Sequence, residues 1–343
     1  MPTTGTATTH YRCCLCRNRY DRLESPSGRL PGFTGPVCPD CIATQTFVCP
    51  DCGVRYHNSD RHRLQGTRDD CLFLCGTCHR ESTCWEPTVF TVENPTYTHI
   101  RSKRAFGLEL ETSACPDYRS LREKTCFGAK FDCSVNGMEF YSPILYGDEG
   151  LAAVEAFCAD AATLDFAVDS TCGLHLHLDM RDELAQAVKS VAYAYLRSDS
   201  VWRALVNTYR ANDCGYCRRM QYTRQQLEDA HDMANFCDRW DRYALCNLNA
   251  YTKFGSFEIR LYQGSVDAKE ICNWVKAHTR FVDWAKTQTL DEVEDAFHGS
   301  NNMKWESLKS IFGDIDLNRT YGRIRRERLG IPPVVREGAS ATV

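Results

Sequence analysis

Residues 1–98 contain no lysine; ten arginines and ten acidic residues leave this stretch formally neutral. The whole chain carries a formal charge of -4 over 343 residues, which excludes a generally basic nucleic-acid binder. A local arginine patch could still meet nucleic acid, so such a partner is not expected but stays open for the cysteine-rich part. No apolar run approaches the roughly 18 residues of a membrane span. Met1–His10 lacks the apolar core of a secretory leader. The expectation is a soluble, cytoplasmic protein with no membrane partner, long enough for one large domain and a smaller module.

Cysteine is abundant instead. Of 21 cysteines, eleven fall between Cys13 and Cys84. Crowded C-x2-C pairs in such a compartment point to metal rather than disulfides. Cys13, Cys16, Cys38 and Cys41 form C-x2-C-x21-C-x2-C, and Cys49, Cys52, Cys75 and Cys78 repeat it with one more residue in the gap. That spacing suits two closed, structural four-thiolate zinc sites, in a tandem pair of zinc ribbons or treble-clef-like knuckles. Cys14 competes for the first site. His57, His62, Cys71, His79 and Cys84 are alternative ligands for the second. With four thiolates per ion, the module becomes net acidic. The expected organisation is a first knuckle at 1–46, a second at 47–86, a linker at 87–101, a catalytic domain at 102–318 and a basic, partly disordered tail at 319–343. That tail holds Arg319, Arg323, Arg325, Arg326 and Arg328, followed by Pro332 and Pro333.

Four short stretches carry the chemistry of the larger part. In F-G-L-E-L-E, Phe106, Leu108 and Leu110 share one strand face and Glu109 and Glu111 the other. D-C-S-V-N-G-M-E-F-Y-S-P predicts a turn at Asn136 and Gly137 leading into a strand with Glu139. In S-T-C-G-L-H-L-H-L-D, three leucines oppose His175, His177 and Asp179. In G-S-F-E-I-R-L-Y, Phe257, Ile259 and Leu261 oppose Glu258, Arg260 and Tyr262. Each alone also suits a half-buried strand with a solvated polar face.

Helices are predicted between and after these strands. One is capped by Asp148 and buries Leu151, Val154, Phe157 and Cys158. A second covers Asp182–Asn207, with Leu184, Val188, Val191, Tyr195 and Val201 on its apolar stripe and a break left open around Ser198–Ser200. A third runs from a Thr223/Gln226 capping box to about Arg239, and a fourth opens at Asp267 with Glu270 and continues through His278, which reads as a packing residue. Thr289–Phe297 and Met303–Phe312 are shorter helices. Cys214, Cys217, Cys237 and Cys246 read as buried thiols or a third zinc site, and Cys172 as a buried thiol or a nucleophile.

The four stretches in this order, over roughly Lys103 to Ala285, resemble the amidoligase family. That family is part of the carboxylate-amine ligase superfamily that includes glutamine synthetase and glutamate-cysteine ligase. The resemblance implies an α+β fold: a glutamine-synthetase-like curved antiparallel sheet whose concave face holds the acids, with helices on its outer side. It also implies ATP-dependent joining of a carboxylate and an amine, on a small molecule, peptide or protein, through an acyl phosphate. Carboxylates and an imidazole suit magnesium, and fixed guanidinium groups suit developing phosphoryl charge. By similarity, Glu109, His175 and Glu258 hold the Mg2+ nearer the transferred phosphoryl group, and Glu111 and Glu139 hold another. His177 meets nucleotide phosphate, Arg260 stabilises the phosphoryl group in flight, and Arg210 meets a substrate carboxylate or a second phosphate. Asn247 and Asn249 contact nucleotide, close the site or only form a turn. Two other readings stay open: a zinc-dependent protein- or nucleic-acid-interaction protein with a non-catalytic ligase-like domain, and a guanidino-type phosphotransferase.

Overall fold

The computed structural model describes residues 10–21, 28–50, 52–63, 73–121, 124–130, 134, 135, 137–212 and 215–315. The turn residue Asn136, Cys71, Cys214 and the tail arginines and prolines lie outside them. The chain divides into two compact units, Met1–Trp85 and Glu86–Val343.

In the smaller unit each first cysteine pair forces a tight turn with the same hydrogen bonds. Arg17 N–H donates to Cys13 O and Cys13 N–H to Asn18 O; Gly53 N–H donates to Cys49 O and Cys49 N–H to Val54 O. The residue closing the turn is left-handed in both, Arg17 at φ 67° and Gly53 at φ 68°. Hairpins β1 (His10–Arg12) with β2 (Arg19–Asp21), and β3 (Thr46–Val48) with β4 (Arg55–His57), follow from these turns. The second pair of each site straddles a helix start, just before and within α1 (Pro39–Gln45) or α2 (Gly76–Thr83). Helix-borne second pairs match the treble-clef-like alternative. β5 (His62–Arg63) pairs with β6 (Phe73–Leu74), and β7 (Cys84–Trp85) ends the unit.

The larger unit contains β8 (Phe106–Glu111), β9 (Gly128–Lys130), β10 (Glu139–Tyr141), β11 (Gly173–Asp179), β12 (Cys246–Asn247) and β13 (Ser256–Gln263). They form one antiparallel sheet in the order β12-β13-β11-β8-β10-β9. Helices α3 (Gly147–Thr163), α4 (Ala185–Arg203) and α9 (Ala268–Ala285) cover its apolar face. There Leu108, Leu110, Leu174, Leu176, Leu178, Phe257 and Ile259 are buried, and Phe140 of β10 packs on Phe157 of α3 at 5.5 Å between ring centres. The α+β class, the antiparallel sheet and the one-sided helical layer are as the sequence predicts.

Five local expectations change. A bulge between Leu174 and Leu176 shifts the β11–β13 register, so Tyr262 pairs with Leu174 and turns to the helical side, where it packs on Trp274 at 4.6 Å. Tyr262 therefore does not share a face with Glu258 and Arg260. Asp148 lies inside the first turn of α3, which is capped by Tyr146; its carboxylate instead accepts the N–H groups of Thr98, His99 and Ile100. These bonds tie the extended segment before β8 onto α3. The helix opened by the Thr223 capping box stops at Glu228 (α6, Arg224–Glu228, after the single turn α5, Thr208–Ala211), and Asp232 caps a new one, α7 (Met233–Asp238). Leu184, expected on a buried stripe, is 80% exposed as the cap of α4. Asp267 caps α9 by accepting the Glu270 N–H, but the Glu270 carboxylate accepts the hydroxyls of Tyr262 and Ser265 rather than closing a box. α8 (Ala250–Phe254), α10 (Leu290–Ala296) and α11 (Asn301–Phe312) complete the unit. No described helix is long and apolar enough to cross a membrane.

His278 has the packing role expected of it. It is fully buried, its ring stacks on Trp202 at 3.9 Å, and Nδ1 meets Tyr195 Oη at 2.8 Å. Burial holds it well below its usual value of 6.5. A base whose pKa is lowered on folding leaves stability intact above the unfolded-state value, and stability falls as pH drops below it. Urea melts should therefore lose up to about 1.4 kcal/mol per pH unit below that value from this residue. His278→Phe should flatten that slope; an unchanged slope would assign the acid sensitivity elsewhere.

Candidate functional site

Away from the helices the sheet is hollowed by a cavity of about 360 Å³. Strands β8, β10, β11 and β13 deliver Glu109, Glu111, Glu139, His175, Glu258 and Arg260 to it, and Arg210 enters from α5. Strand alternation puts these side chains on one face while the leucines fill the other. His175 Nδ1 lies 3.0 Å from Glu109 Oε2 and 3.5 Å from Glu258 Oε1. One ligand atom each from Glu109, His175 and Glu258 lies within 4.8 Å of the others, a spacing that fits one hard cation. Asn247 Nδ2 donates to Glu258 Oε2 at 2.6 Å, and Arg260 donates to Glu258 Oε1. Arg260 also lies over the Tyr243 ring at 5.6 Å.

Burial alone would raise Glu109, but hydrogen bonds with His175 and His177 hold it well below the usual carboxylate range. Glu258 is likewise lowered, burial being outweighed by His175, Arg260 and His177 together. Burial opposes charge on His177, yet Glu109 beside it raises the imidazole overall. The site thus keeps carboxylates ionised in a buried setting, as a cation-binding floor requires.

Not every predicted residue converges on that floor. His177 bonds Ser256 Oγ through Nδ1 at 2.9 Å and faces Glu109 Oε1 from Nε2 at 3.6 Å. It lines a second cavity of about 300 Å³ with Tyr141, Ile144 and Phe254. Glu111 Oε2 accepts the Gly173 N–H at 2.5 Å, and its other oxygen faces His175 Nε2 at 3.9 Å. Glu139 pairs with Lys130 at 2.6 Å. Asn249 is held by Asp238 and shapes the turn, whereas Asn247 orients Glu258.

Arg210 is different from the other cations. It is only 4% exposed, and among the described residues its Nε has no hydrogen-bond partner and no carboxylate forms an ion pair with it. A buried guanidinium without a partner is costly, so its natural complement is an anion entering the cavity. Glycine at 173 makes room for it: a Cβ there would stand 1.8 Å from Arg210 Nη2. Lys130, Tyr216, Arg242, Tyr243, Lys253 and Phe254 also line the cavity and escaped the sequence reading. Lys130 sits on a three-residue strand, too short for alternation to reveal.

The two cysteine sets each gather as predicted, with ligand atoms mutually within 4.8 Å. Cys38 N–H donates to Cys13 Sγ at 3.3 Å and Cys75 N–H to Cys49 Sγ at 3.4 Å. Burial would raise Cys13, but the N–H groups of Cys38, Cys16 and Leu15 hold it at about 6. Burial and the neighbouring thiols push Cys41 up to about 12, a repulsion that a divalent ion relieves. Both donor sets fit zinc. Cys14 turns away to Gly35 O, His57 bonds Ser59, and His62 pairs with Asp60. Among the described residues Cys217, Cys237 and Cys246 form no such group. Burial raises Cys172, so it is no poised nucleophile.

The chain matches a family model described as "Putative amidoligase enzyme" over residues 95–284. Among solved structures it is similar to a novel glutamine synthase homolog, at 14% identity and a TM-score of 0.34, covering 69% of this chain and 67% of that one. It is also similar to the complex between the prokaryotic ubiquitin-like protein Pup and its ligase PafA, at 12% identity and a TM-score of 0.30, covering 67% and 66%. No curated protein sequence matches the chain.

Proposed function

The chain belongs to the amidoligase family, and from that premise we propose that it joins a carboxylate to an amine at the expense of ATP. In the first step a carboxylate oxygen attacks the γ-phosphorus of ATP, the bond to the ADP oxygen breaks, and an acyl phosphate forms. In the second the amine nitrogen attacks the acyl carbon, phosphate leaves, and the nitrogen loses a proton. The observation that carries this reading is the shared face on which Glu109, His175 and Glu258 meet beside Arg260, with Arg210 in the same cavity and unpaired among the described residues.

Glu109, His175 and Glu258 would hold Mg2+, which when bound supplies Lewis-acid charge to the phosphoryl oxygens. Arg260, kept in place by Glu258 and Tyr243, faces the charge that develops during transfer. Arg210 receives the carboxylate of the acyl substrate, and His177 faces nucleotide phosphate. Asn247 orients Glu258. The two four-thiolate sites hold zinc as structural ions, and the unit they stabilise serves in recognising the substrate.

ADP release measured over a panel of carboxylates and amines tests the reaction. Turnover that needs both partners and yields an amide supports it. A stable phosphorylated product would identify a phosphotransferase, and no nucleotide binding would leave an interaction protein. Arg210→Ala should raise KM for the carboxylate by about a hundredfold, the worth of a lost charged hydrogen-bond pair, with a much smaller effect on KM for ATP. The reverse pattern would move Arg210 to the nucleotide.

A further inference from the structure

The backbone register sets three charged residues in one cross-strand row. Glu139 of β10 is directly opposite Glu111 of β8 on one side and Lys130 of β9 on the other. Directly opposed residues share a face, so this arrangement does not depend on a choice of rotamer. Two facing carboxylates repel and need a cation near them. By family resemblance that cation would be a second divalent ion.

The chain already carries one. Lys130 Nζ forms an ion pair with Glu139 Oε1 at 2.6 Å and lies 5.3 Å from the centre of the Tyr141 ring. The Glu139 side chain is only 4% exposed, so its charge is compensated largely from within the protein. Glu111 is committed as well: Oε2 takes the Gly173 N–H, and Oε1 faces His175 Nε2. At 3.9 Å that carboxylate acts on the imidazole through its charge and leaves Nδ1 toward Glu109 and Glu258, the place of a group behind a metal ligand rather than of a ligand. Only Glu109, His175 and Glu258 converge as a three-residue set among the described residues of this unit.

We propose that Lys130 takes the place of a second divalent ion, so that the protein itself holds one such ion, at Glu109, His175 and Glu258, while Glu111 and Glu139 position His175 and Lys130. Lys130 lines the cavity, where its positive charge meets anionic groups of the reactants. The inference rests on the ligase reading of the cavity for the first ion, but the role of Lys130 is separable from it.

The test is a Mn2+ titration of the zinc-loaded full chain without nucleotide, free Mn2+ being read by electron paramagnetic resonance. Wild type should bind about one Mn2+ per chain. Glu258→Gln should lose it, Glu139→Gln should keep it, and Lys130→Met should gain a second. Two ions in wild type with one lost in Glu139→Gln, or no gain in Lys130→Met, would overturn the proposal. No ion in wild type but one in Lys130→Met would uphold the role of Lys130 and sink the three-ligand reading; none in either would overturn both. If Lys130→Met does not fold, Glu139→Gln decides alone: an unchanged count upholds the proposal, and a lost ion ends it.

Discussion

Glu258→Gln should reduce ATP consumption by at least about a hundredfold, while zinc content stays unchanged. Glutamine keeps the shape and removes the charge, and three interactions at the floor depend on that charge. Glu258 Oε1 stands 3.5 Å from His175 Nδ1 and accepts from Arg260, while Oε2 accepts from Asn247. Loss of the carboxylate removes one of three ligand atoms and frees Arg260 from its anchor. It also leaves a largely buried guanidinium without its ion pair, so stability should fall by about 3 kcal/mol. Activity is therefore to be compared at a temperature where circular dichroism shows both proteins folded. Turnover retained at the wild-type level would remove Glu258 from the reaction. The second expected loss, of Arg260 placement, can be separated with Arg260→Lys. That variant keeps the charge but not the forked geometry, so it should bind Mn2+ normally while turning over slowly.

Removing zinc should have the largest effect on stability. The smaller unit has little apolar core: around the first site it consists of Tyr11, Leu30 and Val37 together with buried ligand cysteines. Zinc binding in small four-ligand modules is worth on the order of 10 kcal/mol, more than such a core supplies. A strong chelator should therefore unfold residues 10–85, with their amide protons exchanging freely. The larger unit, whose core includes Trp202, Trp274, Phe281 and Phe312, should keep its protection in the same sample. Cys38→Ser should act like partial chelation, because Cys38 is fully buried and its N–H also supports Cys13 Sγ. An unchanged exchange pattern after metal removal, verified by elemental analysis, would show that zinc is dispensable for the fold of this unit.

Much of the site was legible in the sequence because its signals are local. Cysteine spacing names the ligands of both four-thiolate sets, since a tight turn places two thiols together without help from distant residues. Alternation in F-G-L-E-L-E, L-H-L-H-L and F-E-I-R-L separates the apolar side from the charged one, because a strand repeats every two residues. Signals that need a partner were not legible. Asp148 looked like a cap, yet its carboxylate is used by the backbone of residues 98–100, fifty positions away. Tyr262 continued a clean alternation until a bulge against β11 reversed it.

The sequence by itself determined the spacing of the eight cysteines and the strand face shared by the polar groups Glu109, Glu111, Glu139, His175, His177, Glu258 and Arg260. The tertiary structure decided how those groups are divided. It brought Glu109, His175 and Glu258 together, set His177 beside a second cavity, buried Arg210 with no described carboxylate paired to it, and paired Glu139 with Lys130. The reason is physical. Face is fixed by the two-residue period within a strand, whereas partnership is fixed by register between strands, and no single strand contains its own register.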